Sequence, residues 1–179
     1  MKNNEALLII DMQNVYLPEN QWACIRMDEI IKYIDDKINR FPKKSVFFTR
    51  HMAFNNPKGV WKTYNATYAE INSNDYLNDF VSELKKYISD DNVFVKNGFS
   101  ALSNISLLEK LDKFDTIYIT GVVAECCVLS TIFSLIDMGK KIIYCNNGIA
   151  GQSQEKEKAV IEILKELSPL HIVFEDSNG

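Results

Sequence analysis

The chain has 179 residues, 46% of them hydrophobic and 25% charged, with a formal net charge of -4. These values describe one globular domain with a sizeable core and leave no cationic surface for nucleic acid. No apolar stretch is long enough to span a membrane, and the N-terminal run is too short for a signal segment and is broken by Asp11, so a cytoplasmic protein is expected.

Residues 5–10, ALLII after Glu5, form a continuous apolar run of the kind that builds a strand buried on both faces of a parallel sheet. It stops at Asp11. An acid there is either a cap or loop residue, or a group at the sheet edge where ligands bind. A first helix is predicted from about Cys24 to Asn39, with Ile30, Ile31, Ile34 and Ile38 at helical spacing. SVFFTR (45–50) repeats this layout and ends near Arg50 and His51. Residues 52–76, rich in Asn, Tyr, Pro and Gly, read as a long loop whose aromatics Phe54, Trp61, Tyr64 and Tyr68 either line a pocket or anchor the loop. Leu77 to Ser89 carries apolar residues at helical spacing. NVFVK then forms a third strand ending at Lys96, a charge where the sheet would present a site or a solvated loop residue.

Ser103 and Asn104 can cap a short helix holding Ile105, Leu107, Leu108 and Leu111. DTIYIT (115–120) is the fourth strand, which passes through Gly121 into an apolar helix ending near Met138. Cys126 and Cys127 stand at that junction, where unpaired backbone N–H groups and the helix dipole favour a thiolate. KKIIYC (140–145) is the fifth strand, NNGIAG a turn, Gln154 to Leu167 an amphipathic helix, and LHIVFE (170–175) the sixth strand. The alternation predicts an α/β fold, a three-layer αβα sandwich around a six-stranded parallel sheet, as a single domain over residues 1–179. Neither GxGxxG nor GxxxxGK[ST] occurs where a nucleotide phosphate would need it. The four cysteines (Cys24, Cys126, Cys127, Cys145) lack CxxC spacing and are expected as reduced thiols.

Three strand ends thus present Asp11, Lys96 and Cys127 toward one sheet edge. An ammonium can stabilise a thiolate and a carboxylate can shuttle its proton. With LLIIDMQN around Asp11, VKNGFSAL around Lys96 and ITGVVAECCVLST around Cys127, nearly the whole chain resembles the isochorismatase-like cysteine hydrolases, which include nicotinamidases and N-carbamoylsarcosine amidohydrolases. The family cysteine lies six residues after the glycine, which selects Cys127 and leaves Cys126 as a packing residue. The resemblance implies Asp11 as general base and acid, Lys96 as electrostatic partner, and Cys127 as nucleophile. It also implies a cis peptide before Val123, with the N–H groups of Val123 and Cys127 as oxyanion hole. Tyr16 takes the place of an aromatic that can stack on a planar substrate, and Arg50, His51, Trp61 and Tyr64 are further candidates for binding it. Nicotinamidases hold a metal through an Asp and several His after the second strand. Here FFTRHMAFNNPKG offers only His51, so neither metal nor cofactor is expected. A small-molecule substrate and a homo-oligomer, dimer or tetramer, are the expected partners. The alternatives are a hydrolase of a different bond and a non-catalytic binding or regulatory protein on the same fold.

Overall fold

From Ala6 to Ile10, every residue of β1 (Glu5–Ile10) is fully buried, which requires cover on both faces of the sheet. The computed structural model, which describes residues 4–175, supplies that cover. Ala6, Leu8 and Ile10 enter one core while Leu7 and Ile9 enter the other, the two-residue alternation of a strand. β2 (Val46–His51), β3 (Val93–Lys96), β4 (Thr116–Val122), β5 (Lys141–Ala150) and β6 (Ile172–Phe174) complete a parallel sheet in the order β3-β2-β1-β4-β5-β6. The order reverses between β1 and β4, which opens a crevice at the carboxyl ends of the strands. The expected α/β sandwich is therefore present. Residues 1–3 and 176–179 of the expected domain lie outside the described residues.

One face is covered by α1 (Met27–Ile38), which buries Ile30, Ile31, Ile34 and Ile38, and by the segment after β2. That segment contains α2 (Val60–Thr67), α3 (Ala69–Asn72) and α4 (Asp75–Asn78). The other face is covered by α5 (Ile105–Leu111), α6 (Leu129–Asp137) and α7 (Gln154–Lys165) through Leu107, Leu111, Ile132, Leu135, Val160 and Leu164.

Several boundaries differ from the sequence reading. The first helix starts at Met27, because Arg26 adopts a left-handed conformation (φ 56°) and does not continue a helix toward Cys24. The long loop holds three short helices. Of these, α2 buries none of its residues, so it carries no apolar period to detect. The helix predicted over 77–89 is broken: the Asn14 N–H donates to Asp79 O (2.9 Å) and the Val81 N–H to Met12 O (3.0 Å), so this backbone pairs with the chain after β1. A 3-10 turn over Ser82–Tyr87 follows instead. The predicted turn NNGIAG continues β5 to Ala150, with a register shift against β4 between Ile119 and Gly121. Gly148 permits it, since a Cβ there would lie 2.6 Å from the Tyr33 ring.

One contact sets the depth of the crevice. Gly121 pairs with Ile10 at φ 105°, and a Cβ on it would sit 2.1 Å from the Ile10 carbonyl oxygen. Only glycine lets β4 lie this close to β1, which brings the residues after both strands together.

Candidate active site

Asp11 is the first residue beyond β1 and has a left-handed backbone (φ 51°), a conformation Asp tolerates better than most residues. Its N–H donates to Thr49 Oγ1 at 3.1 Å, and that hydroxyl donates to Asp11 Oδ1 at 2.6 Å, so β2 orients the carboxylate. Lys96 ends β3, in register with His51 of β2. Its Nζ lies 2.7 Å from Asp11 Oδ2, 3.3 Å from Cys127 Sγ and 3.0 Å from Gly98 O. Two of its N–H groups donate to Gly98 O and Cys127 Sγ, while the contact with Asp11 is an ion pair. Asp11 Oδ2 forms the ion pair but has no aligned hydrogen-bond donor, which leaves it acceptor capacity.

Cys127 arrives from β4. The Val122–Val123 peptide is cis, and residues Ala124–Val128 form a π-helical turn that leads into α6. The N–H groups of Cys126 and Val128 both donate to Val123 O, at 3.0 and 3.1 Å. Thr131 Oγ1 donates to Cys127 O (2.6 Å) and accepts from the Ala101 N–H (2.9 Å), which anchors the turn to the segment after β3.

Burial is the largest influence on this trio. It pushes the Cys127 thiol well above its ordinary pKa, the negative Asp11 adds to that, and Lys96 opposes it without prevailing. Burial and Asp11 thus favour the protonated thiol at rest, against the pull toward thiolate expected from the helix terminus and the lysine. The reason is that Cys127 is 4% exposed and its sulfur faces a carboxylate as well as an ammonium. For Lys96, burial lowers the pKa, but the attraction of Asp11 and Cys127 outweighs it and holds the ammonium charged.

A cavity of about 140 Å³ opens onto Cys127. Tyr16, Trp22, Tyr64, Tyr68 and Phe99 form its aromatic wall, and His51, Val123, Cys126 and Gln152 complete the lining. Burial and the nearby Lys96 drop the His51 pKa to about 4, so its imidazole is neutral at ordinary pH.

A family model for the Isochorismatase domain matches residues 5–171. The chain belongs to this family. No curated protein sequence matches the chain. Among solved structures, this isochorismatase domain is similar to a pyrazinamidase of Pyrococcus horikoshii in complex with zinc, at 20% identity and TM-score 0.75, covering 97% of this chain and 99% of that one. A cysteine hydrolase from Pseudomonas syringae pv. phaseolicola superposes with TM-score 0.77 at 18% identity, covering 94% and 87%. A nicotinamidase from Staphylococcus aureus does so with TM-score 0.72 at 18% identity, covering 98% and 99%. At these identities the likeness shows a shared fold.

Within the isochorismatase domain, Tyr16, His51 and Tyr64 of the predicted binding residues line the cavity. Trp61 stands behind them, its ring 5.2 Å from Tyr64 and 5.5 Å from Phe99. Arg50 does not join them. Its Nε donates to Asn78 O at 2.8 Å and its guanidinium lies over Phe80, so it braces the segment after β2 instead of clamping a carboxylate. Cys126, expected to pack, is exposed and lines the cavity, because successive residues of a helical turn project in different directions and Cys127 takes the buried one. Tyr68, one of the loop aromatics offered as pocket lining, lines the cavity, whereas Trp22, Phe99 and Gln152 were not singled out. Trp22 lies in a polar stretch with no periodicity, and only its contacts with Tyr16 and Tyr68 reveal its place.

The zinc of the pyrazinamidase complex finds no matching set of donors here. Among the described residues, no group of three or more His, Cys, Asp or Glu is placed to hold an ion. His51 is a single imidazole with aromatic rings in front and its Nδ1 buried, so the set does not fit a zinc centre.

Proposed function

We propose that the chain is a cysteine-dependent hydrolase of a small amide-like C–N bond, working through a covalent thioester and without a metal. The observation that carries this reading is the buried contact of Lys96 with both Asp11 and Cys127. A packing thiol has no need of an ion pair taken out of water at the end of three strands. Relatives described as a nicotinamidase and a pyrazinamidase support the bond class.

The starting state follows from the electrostatics. Cys127 holds its proton, and the adjacent Asp11 carboxylate accepts it as the sulfur attacks the carbonyl carbon. Lys96 supplies positive charge to the sulfur as it becomes anionic. The carbonyl oxygen takes up the negative charge, and the N–H groups of Val123 and Cys127 are the proposed donors to it. Breakage of the C–N bond sends its electron pair to nitrogen, which takes the proton from Asp11 and leaves as ammonia or an amine. Asp11 then deprotonates a water that attacks the thioester, and the proton returns to the departing sulfur with release of a carboxylic acid. The partly open cavity fits a small molecule as partner, and a reducing cytoplasmic setting suits the free thiols; the enzyme is proposed to work as a dimer or tetramer.

The test is ammonia release from a panel of small amides, ureas and carbamoyl compounds. Cys127→Ala should lower it by at least about 10³-fold, while Cys126→Ala should retain it. Release that survives loss of Cys127 would overturn the assignment.

A further inference from the structure

The hydrolytic steps make no use of the asparagines that crowd the segment after β2, yet that segment faces a mechanical problem. α2 buries none of its residues, so no apolar face ties it to the sheet. It nevertheless carries Tyr64, with Tyr68 just beyond its end, and both rings line the cavity, while Trp61 backs Tyr64. Something other than hydrophobic packing holds those rings in front of Cys127.

Side-chain amides do so. Asn65 Nδ2 donates to Phe54 O (2.9 Å) and Asn72 Nδ2 to Asn65 O (3.1 Å), so α2 is tied to the chain before and after it. Asn78, 6% exposed, donates through Nδ2 to Ile71 O (2.7 Å) and Asn74 O (2.9 Å), with Asn72 O at 3.3 Å. Its own backbone carbonyl accepts from Gln13 Nε2 at 2.9 Å and from Arg50 Nε at 2.8 Å. Gln13 grips the end of β2 much as a neighbouring strand would: Nε2 also donates to His51 O (3.0 Å), and Oε1 accepts from the His51 N–H (2.7 Å). A line of carboxamides therefore runs from Phe54 through α2, α3 and α4 to the turn after β1. Each amide nitrogen in it has an acceptor, the condition under which a polar network fixes a single arrangement.

We propose that Asn65, Asn72 and Asn78 are positioning residues: their amides, anchored on Gln13, hold the rings of the α2 segment over Cys127 and so set substrate affinity without touching substrate. That the cavity binds a substrate rests on the amidase reading. Asp11, Lys96 and Cys127 stand on other elements and are joined to one another directly, so the reacting groups keep their places when the line is cut.

The test uses full-length Asn72→Ala, Asn78→Ala and Asn78→Asp, the last keeping the shape of the side chain but not its donors. For the amide of the panel hydrolysed fastest, KM should rise about tenfold in each variant while kcat stays within about threefold of the unsubstituted protein. A second readout needs no turnover. Iodoacetamide labelling with peptide mapping should modify Cys127 at least about threefold faster in the variants, because the wall in front of it loosens, and leave the fully buried Cys145 unchanged. Asn72 is half-buried, so its variant carries the test if Asn78→Ala does not fold. An unchanged KM with unchanged Cys127 labelling, a fall in kcat alone, or faster labelling of Cys127 and Cys145 together would overturn the proposal, the last because it marks loosening of the whole domain. The expected labelling pattern without ammonia release from any amide, in the unsubstituted protein or the variants, would remove the amidase reading alone.

Discussion

Asp11→Asn and Lys96→Met, made singly and together, probe whether the buried ion pair at the centre of the site is one unit. In Asp11→Asn the ammonium keeps only the Gly98 carbonyl and the Cys127 sulfur. In Lys96→Met the carboxylate keeps only the Thr49 hydroxyl. Both residues are at most 1% exposed, so water cannot replace the lost partner. Breaking a buried pair from one side costs about 3 to 5 kcal/mol, whereas replacing both partners with neutral groups is often close to neutral. The double variant should therefore be more stable than either single one, and additive costs would instead reach roughly 6 to 10 kcal/mol. Urea unfolding at neutral pH reads these differences, with unchanged m-values confirming that the same surface unfolds. A double variant as unstable as the sum would refute the view that each charge is there to balance the other.

Gly121→Ala should destabilise by about 3 kcal/mol or more, from φ strain of about 1 to 2 kcal/mol together with a backbone clash. Gly139→Ala, at φ 76° with nothing within 4 Å of its Cβ, should show the strain alone in the same unfolding assay. The folded Cys127 thiol keeps its proton above the unfolded pKa of about 8.5. Its stabilisation is thus complete below that pH and is lost as the pH rises toward the folded value, so Cys127→Ala should flatten the alkaline loss of stability. Peptide mapping after iodoacetamide at pH 8.5 should find Cys126 modified well before Cys127, and half-maximal modification of Cys127 near that pH would contradict the burial argument. His51 runs the other way: its folded pKa of about 4 lies below the unfolded value of about 6.5. Its contribution is present above pH 6.5 and is lost as the pH falls through that window, so melts between pH 4 and 7 should lose part of their acid slope in His51→Gln.

The strands and their ends were legible because burial on both faces leaves uninterrupted apolar runs, and Asp11 and Lys96 stand out as charges directly after them. The break at Asp79 to Val81 was not legible. Leu77, Phe80, Val81 and Leu84 have helical spacing, but their burial comes from backbone pairing with Met12 and Asn14, residues remote in sequence. The same holds for Arg50, whose partner is a carbonyl in α4. The aromatic wall was half legible. Tyr16 and Tyr64 carry a local signal, whereas Trp22 and Phe99 enter only through the way three loops meet. The protonation of Cys127 depends on how close Asp11 and Lys96 approach the sulfur, and residue order alone does not fix that distance.

The most direct measurement of the central claim is the mass of the protein quenched during turnover of a primary amide, followed by peptide mapping. An acyl adduct on Cys127 is expected, with a mass equal to the substrate less ammonia, absent in Cys127→Ala and retained in Cys126→Ala. Turnover without Cys127, or an adduct carried by Cys126, would contradict it.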